Sequence, residues 1–90
     1  MKKHLNIRVK GKVQGVFYRY STKGECDELG ITGFVRNEPN GTVYLEVEGE
    51  EEALAQLVRW CNEGSQHAAV DDVEVREGDL KGFDSFTVER

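Results

Sequence analysis

The spacing of hydrophobic positions changes several times along the chain between a period of two and a period of 3.6. In His4-Leu5-Asn6-Ile7-Arg8-Val9-Lys10, the apolar Leu5, Ile7 and Val9 alternate with polar residues, as a strand with one buried face requires. From about Arg19 to Leu29 the residues suit a helix closed by Gly30. Gly24 costs that helix about 1 kcal/mol relative to alanine, so it depends on packing. Ile31 to Asn37 and Thr42 to Glu48 predict a second and a third strand, the latter burying Val43, Leu45 and Val47. Between them Glu38-Pro39-Asn40-Gly41 predicts a hairpin turn: Pro39 presets one backbone angle, Gly41 can adopt the left-handed conformation, and Asn37 is left at a strand end. A second helix is expected from Glu50 to about Glu63, where Leu54, Leu57, Val58 and Cys61 fall at i, i+3, i+4 and i+7. A polar loop after Gly64 leads to a fourth strand around Val70 to Arg76, and a loop from Glu77 to Gly82 leads to a last strand around Phe83 to Glu89.

This order predicts an α+β fold, a ferredoxin-like βαββαβ sandwich with an additional C-terminal strand, in which two helices cover one face of an antiparallel or mixed sheet. The chain's 90 residues suffice for one modest core, so residues 1–90 are expected to form a single domain whose function occupies one surface. The net charge of −5 opposes a nucleic-acid partner, because backbone binding requires clustered Lys and Arg. No apolar run approaches a membrane span, and Met1-Lys2-Lys3 leads directly into alternating strand residues, so a cytoplasmic protein without a membrane partner is expected. Cys26 and Cys61 lack metal-site spacing and fall on the apolar faces of the two helices, which predicts buried thiols. His4 and His67 have no carboxylate or cysteine at ligand spacing, so no metal site is expected. The acidic run Glu50-Glu51-Glu52 sits at the positive end of the second helix, where three adjacent side chains diverge and solvate it rather than form a catalytic pair.

Gly11-Lys12-Val13-Gln14-Gly15-Val16-Phe17-Tyr18-Arg19 lies where a strand passes into a helix. Gly11 and Gly15 permit backbone angles that can turn successive N–H groups into one concavity, with the positive end of the helix behind them and the planar guanidinium of Arg19 at the rim. The same residues also describe a plain connecting loop with two turn glycines and a surface arginine.

That stretch resembles the first acylphosphatase signature, G-x-V-Q-G-V-x-F-R, and Gly33-Phe34-Val35-Arg36-Asn37-Glu38-Pro39-Asn40-Gly41-Thr42-Val43 resembles the second, G-x-V-x-N followed by a turn and G-x-V. The departures are Tyr18, where the family usually has phenylalanine, and Gly24, where a better helix former is common. The resemblance implies hydrolysis of the carboxyl–phosphate anhydride of a small-molecule acylphosphate without metal or organic cofactor. It implies that Arg19 binds phosphate and that Asn37 orients the attacking water. Backbone amides along Gln14, Gly15, Val16, Phe17 and Tyr18 would cradle the phosphoryl group, with Gln14 shaping the loop. Inorganic phosphate is expected as product and inhibitor, and a monomer as the working form.

Two other readings share the order of elements. An RNA-recognition module would need exposed aromatic rings on the sheet and a basic surface. Phe34 and Tyr44 are out of phase with the apolar residues of their strands, yet the acidic balance opposes that module, and the two rings are expected to pack under long charged side chains. A small-molecule regulatory module would not need an asparagine beside an anion loop.

Overall fold

The computed structural model describes residues 1–64 and 67–89, in the order β1 (Lys2–Lys12), α1 (Tyr18–Leu29), β2 (Thr32–Asn37), β3 (Val43–Glu50), α2 (Glu51–Glu63), β4 (Ala69–Gly78) and β5 (Phe86–Val88). The strands form one sheet in the order β4-β1-β3-β2-β5. All neighbours are antiparallel except β2 and β5, so the sheet is mixed. Ser65 and Gln66, in the polar loop expected after Gly64, lie outside the described residues.

Alternation decides what each face of the sheet does. Ile7 and Val9 of β1, Val35 of β2, and Val43, Leu45 and Val47 of β3 point into one core with Tyr18 and Cys26 of α1 and Leu54, Leu57 and Cys61 of α2. Both cysteines are fully buried and unpaired, as their helix positions predicted. Burial pushes the Cys61 thiol up to about 12 and that of Cys26 higher, so neither is a thiolate at neutral pH. Gly33 has φ 137°, and a Cβ there would overlap the Glu46 carbonyl oxygen of β3, so the pairing of β2 with β3 requires glycine.

The opposite face carries rows of polar and aromatic side chains set by register. Glu74, Arg8, Tyr44 and Arg36 form one row across β4, β1, β3 and β2. The Arg8 and Arg36 guanidinium groups lie 5.0 and 5.1 Å from the Tyr44 ring centre, and Arg36 lies 5.5 Å from that of Phe34. The rings expected under long charged side chains are therefore found there, and neither is an open platform for a base.

Two sequence-based boundaries shift for physical reasons. The last strand is only Phe86–Val88, and Phe83, expected to begin it, belongs instead to a loop in which the backbone N–H groups of residues 81–83 converge on Glu48. Gly11 belongs to β1 rather than to the turn beyond it. It sits at a register shift against β4, with φ 127° and the Ala69 carbonyl where a Cβ would go, so it serves a bulge rather than an anion loop.

Candidate active site

The connection from β1 to α1 spans residues 13–17. Val13 is buried and anchors it to the core. Gln14 Nε2 donates to the carbonyl oxygens of Glu38 and Thr42, each at 2.8 Å, and thereby ties this loop to the β2–β3 hairpin. That hairpin is closed by its own bonds, Glu38 N–H to Thr42 O at 2.8 Å and Gly41 N–H to Glu38 O at 3.1 Å, while Asn40 Oδ1 accepts from the Thr42 N–H and hydroxyl. One carboxamide thus holds the two signature segments together.

Beyond Gln14 the backbone turns through two left-handed residues, Gly15 at φ 72° and Phe17 at φ 61°. Phe17 is the one non-glycine residue with positive φ among the described residues, a conformation that costs roughly 1–2 kcal/mol and persists where its surroundings fix it. Helix α1 then begins without a side-chain cap or an acidic residue in its first turn. Its first intrahelical bond is Ser21 N–H to Phe17 O at 3.0 Å, so the N–H groups of Tyr18, Arg19 and Tyr20 have no acceptor within the helix. With the positive end of the helix dipole, this arrangement favours an anion.

Val13, Gly15, Phe17, Arg19, Tyr20 and Asn37 line a cavity of about 170 Å³ at this end of the sheet. Two contacts fix the Arg19 guanidinium: Nη1 donates to the Glu89 carbonyl, and the group lies 5.8 Å from the centre of the Tyr20 ring. Glu89 is itself held by its N–H bond to Val35 O at 2.8 Å. Asn37 ends β2 on the other side of the cavity. Its Oδ1 is buried with no hydrogen-bond partner, alone among the buried side-chain polar atoms of the described residues. An acceptor left so costs on the order of 1–3 kcal/mol, which a core position would not retain.

The residues expected at the site separate into three groups. Gly15, Phe17, Arg19 and Asn37 meet at the cavity. Tyr18 also lines it, while its ring is buried against Trp60 at 5.3 Å and its hydroxyl donates to the Cys61 carbonyl at 3.0 Å. Gln14 points to the hairpin, and the Val16 side chain packs at the core edge. Sequence reasoning missed Tyr20 and the Glu89 carbonyl. Tyr20 carries a readable signal, because an aromatic residue beside Arg19 falls off the face that buries Tyr18, Thr22 and Cys26. The carbonyl of Glu89, by contrast, arrives through parallel pairing of β5 with β2, which no local pattern announces.

A family model described as acylphosphatase matches residues 5–88. The chain belongs to the acylphosphatase family. An acylphosphatase from a Nocardioides species is 48% identical over 88 residues, covering 98% of this chain and 89% of the relative. The solved structure of an acylphosphatase from Coxiella burnetii is 36% identical, with a TM-score of 0.95 over 98% of this chain and 93% of that one. The structure of the Bacillus subtilis acylphosphatase is 35% identical and matches with the same TM-score of 0.95 over 100% of both chains. In this acylphosphatase chain the departure at Tyr18 is accommodated by the hydroxyl's bond to Cys61, and the departure at Gly24 is exposed, with open space around it.

Proposed function

We propose that the chain hydrolyses acylphosphates to a carboxylate and inorganic phosphate in the cavity between the β1–α1 loop and the end of β2. The observation that carries this reading is that Asn37 and Arg19 line one cavity, with the Oδ1 of Asn37 buried and without a hydrogen-bond partner. A carboxamide with a free acceptor at the wall of an anion site is suited to hold one proton of a water whose lone pair is directed at phosphorus.

In this mechanism the guanidinium of Arg19 and the backbone N–H groups from Gln14 to Tyr18 hold the phosphoryl oxygens. They offset the negative charge as it develops. Water held by Asn37 attacks phosphorus, a new P–O bond forms, and the bond between phosphorus and the carboxyl oxygen breaks with its electron pair leaving on the carboxylate. The proton released by the attacking water leaves with the phosphate or passes to solvent. The carboxylate is a good leaving group, so positioning and electrostatics suffice and no strong protein base is required.

The reading needs no metal ion, and among the described residues no group of three or more His, Cys, Asp or Glu side chains is arranged to hold one. It takes the chain as one domain, residues 1–90, acting as a monomer, because every group it uses comes from one chain. Phosphate, the product that keeps the oxygens bound by Arg19, is expected to inhibit competitively. The reading places the enzyme in the cytoplasm, which suits two unpaired thiols. No helix among the described residues is long and apolar enough to cross a membrane.

Asn37→Ala tests the assignment through phosphate release from benzoyl phosphate. Turnover should fall by about 10²-fold or more, the scale of one lost positioned polar group. The inhibition constant for inorganic phosphate should hold. Stability should stay level or rise slightly, because the substitution removes an unsatisfied buried acceptor. Loss of phosphate affinity in step with turnover would instead make Asn37 part of the anion cradle, and unchanged turnover would remove it from the mechanism.

A further inference from the structure

The hydrolase reading gives the Phe17 ring no task and the Tyr20 ring only its contact with Arg19. Phe17 and Tyr20 line the cavity, yet they are 75% and 62% exposed. The other exposed large hydrophobic residues, Met1, Val75 and Leu80, are not among its lining. Elsewhere in the fold aromatic rings are covered: Tyr18 by Trp60, Phe34 by Tyr44 and Phe83, His4 by Phe83. Among the described residues Phe17 has no ring or cation against it, and Tyr20 has only the Arg19 guanidinium.

We propose that Phe17 and Tyr20 form an aromatic mouth that contacts the acyl group, so that the preferred substrates are acylphosphates with an aromatic or similarly flat, apolar acyl group. The inference rests on the acylphosphate reading of the cavity. With the phosphoryl group and the attacking water against Arg19 and Asn37, the acyl group lies toward the part of the cavity that Phe17 and Tyr20 line. There it meets the two side chains, Phe17 on the cap residue before α1 and Tyr20 in its first turn, both of which line the same cavity. The left-handed backbone of Phe17 sets where its side chain leaves the loop, and the guanidinium beside Tyr20 contacts the other ring. A flat acyl group gains ring contacts at this mouth that a methyl group cannot make. Two isolated side chains are too small a patch for a protein partner, which favours a small ligand.

The test compares kcat/KM for benzoyl phosphate and acetyl phosphate in the parent protein and in Tyr20→Ser, Tyr20→Phe and Phe17→Asn, asparagine being chosen because it tolerates the left-handed region. The ratio does not depend on the fraction of folded enzyme, and the intrinsic reactivity of the two anhydrides is common to all samples. The parent should favour benzoyl phosphate, and Tyr20→Ser and Phe17→Asn should each lower the ratio roughly three- to tenfold, the scale of one aromatic contact. Tyr20→Phe should keep it. A parent ratio near one, or an unchanged ratio in both Tyr20→Ser and Phe17→Asn, overturns the acyl-selecting mouth and leaves the hydrolase reading standing. No turnover of either compound by the parent overturns both.

Discussion

Arg19 is already positioned by the fold, with one edge of its guanidinium on the Glu89 carbonyl and the Tyr20 ring nearby. Its proposed partner is a phosphoryl group, which a planar fork binds through paired donors and an ammonium meets only as a point charge. Arg19→Lys should therefore keep the charge and the fold but lower kcat/KM on the order of 10²-fold, as removal of an oriented donor does. Steady-state kinetics with a melting curve on the same sample checks this, and near-parental efficiency would take Arg19 out of the site. Both the Arg19 and Asn37 side chains were legible in the sequence, because the functional group and its motif position are local properties. The strain at Phe17 was not legible, because φ is set by what the loop must span between β1 and α1.

At the scale of elements, the segment joining the two edge strands β4 and β5 passes over the open sheet face and closes on a buried carboxylate of the central strand β3. Glu48 is 3% exposed and accepts bonds from the N–H groups of Lys81, Gly82 and Phe83, while its Oε2 lies 2.7 Å from His4 Nδ1. Burial alone would raise this carboxyl, but the bonds from Lys81, His4, Gly82 and Phe83 outweigh it and hold the group down at about 2. A folded-state value below the ordinary 4.5 stabilises the protein above that pH, and the contribution disappears as pH falls from 4.5 through 2. Its size is on the order of 3 kcal/mol by linkage. Glu46, also held below its ordinary range, acts in the same direction. Glu48→Gln should destabilise at neutral pH, since its amide group faces N–H donors, and should flatten the acid limb of a plot of melting temperature against pH. Acid limbs of equal slope in parent and variant would show that the cradle does not set the acid sensitivity.

For the molecule as a whole, stability rests on one apolar layer between the helices and the sheet, because exposed ion pairs such as Lys10 with Glu74 contribute little. Cys26 and Cys61 lie in that layer, away from the cavity. Cys26→Ser and Cys61→Ser each bury a hydroxyl and should cost about 1–3 kcal/mol while leaving turnover of the folded fraction unchanged. Denaturant melts paired with active-site-normalised kinetics check this. A serine variant that is fully folded and inactive would give that thiol a role in catalysis.

The sequence by itself determined the order of elements, the faces that Ile7, Val9, Leu45, Leu54 and Leu57 bury, and the pair of signatures that identify the family, because periodicity, turn chemistry and motif spacing are local. It also placed Asn37 at a strand end and Arg19 beside a helix start. Only the tertiary structure decided how these come together. Gln14 reaches across to Glu38 and Thr42, and the β5 end brings the Glu89 carbonyl to Arg19. Gly11 serves a bulge, while Phe83 joins the loop of residues 81–83 that satisfies Glu48. Each of these joins groups far apart in sequence, and the pairing is chosen by the packing of the sheet and by the need to satisfy buried polar groups, neither of which is a property of a short stretch of chain.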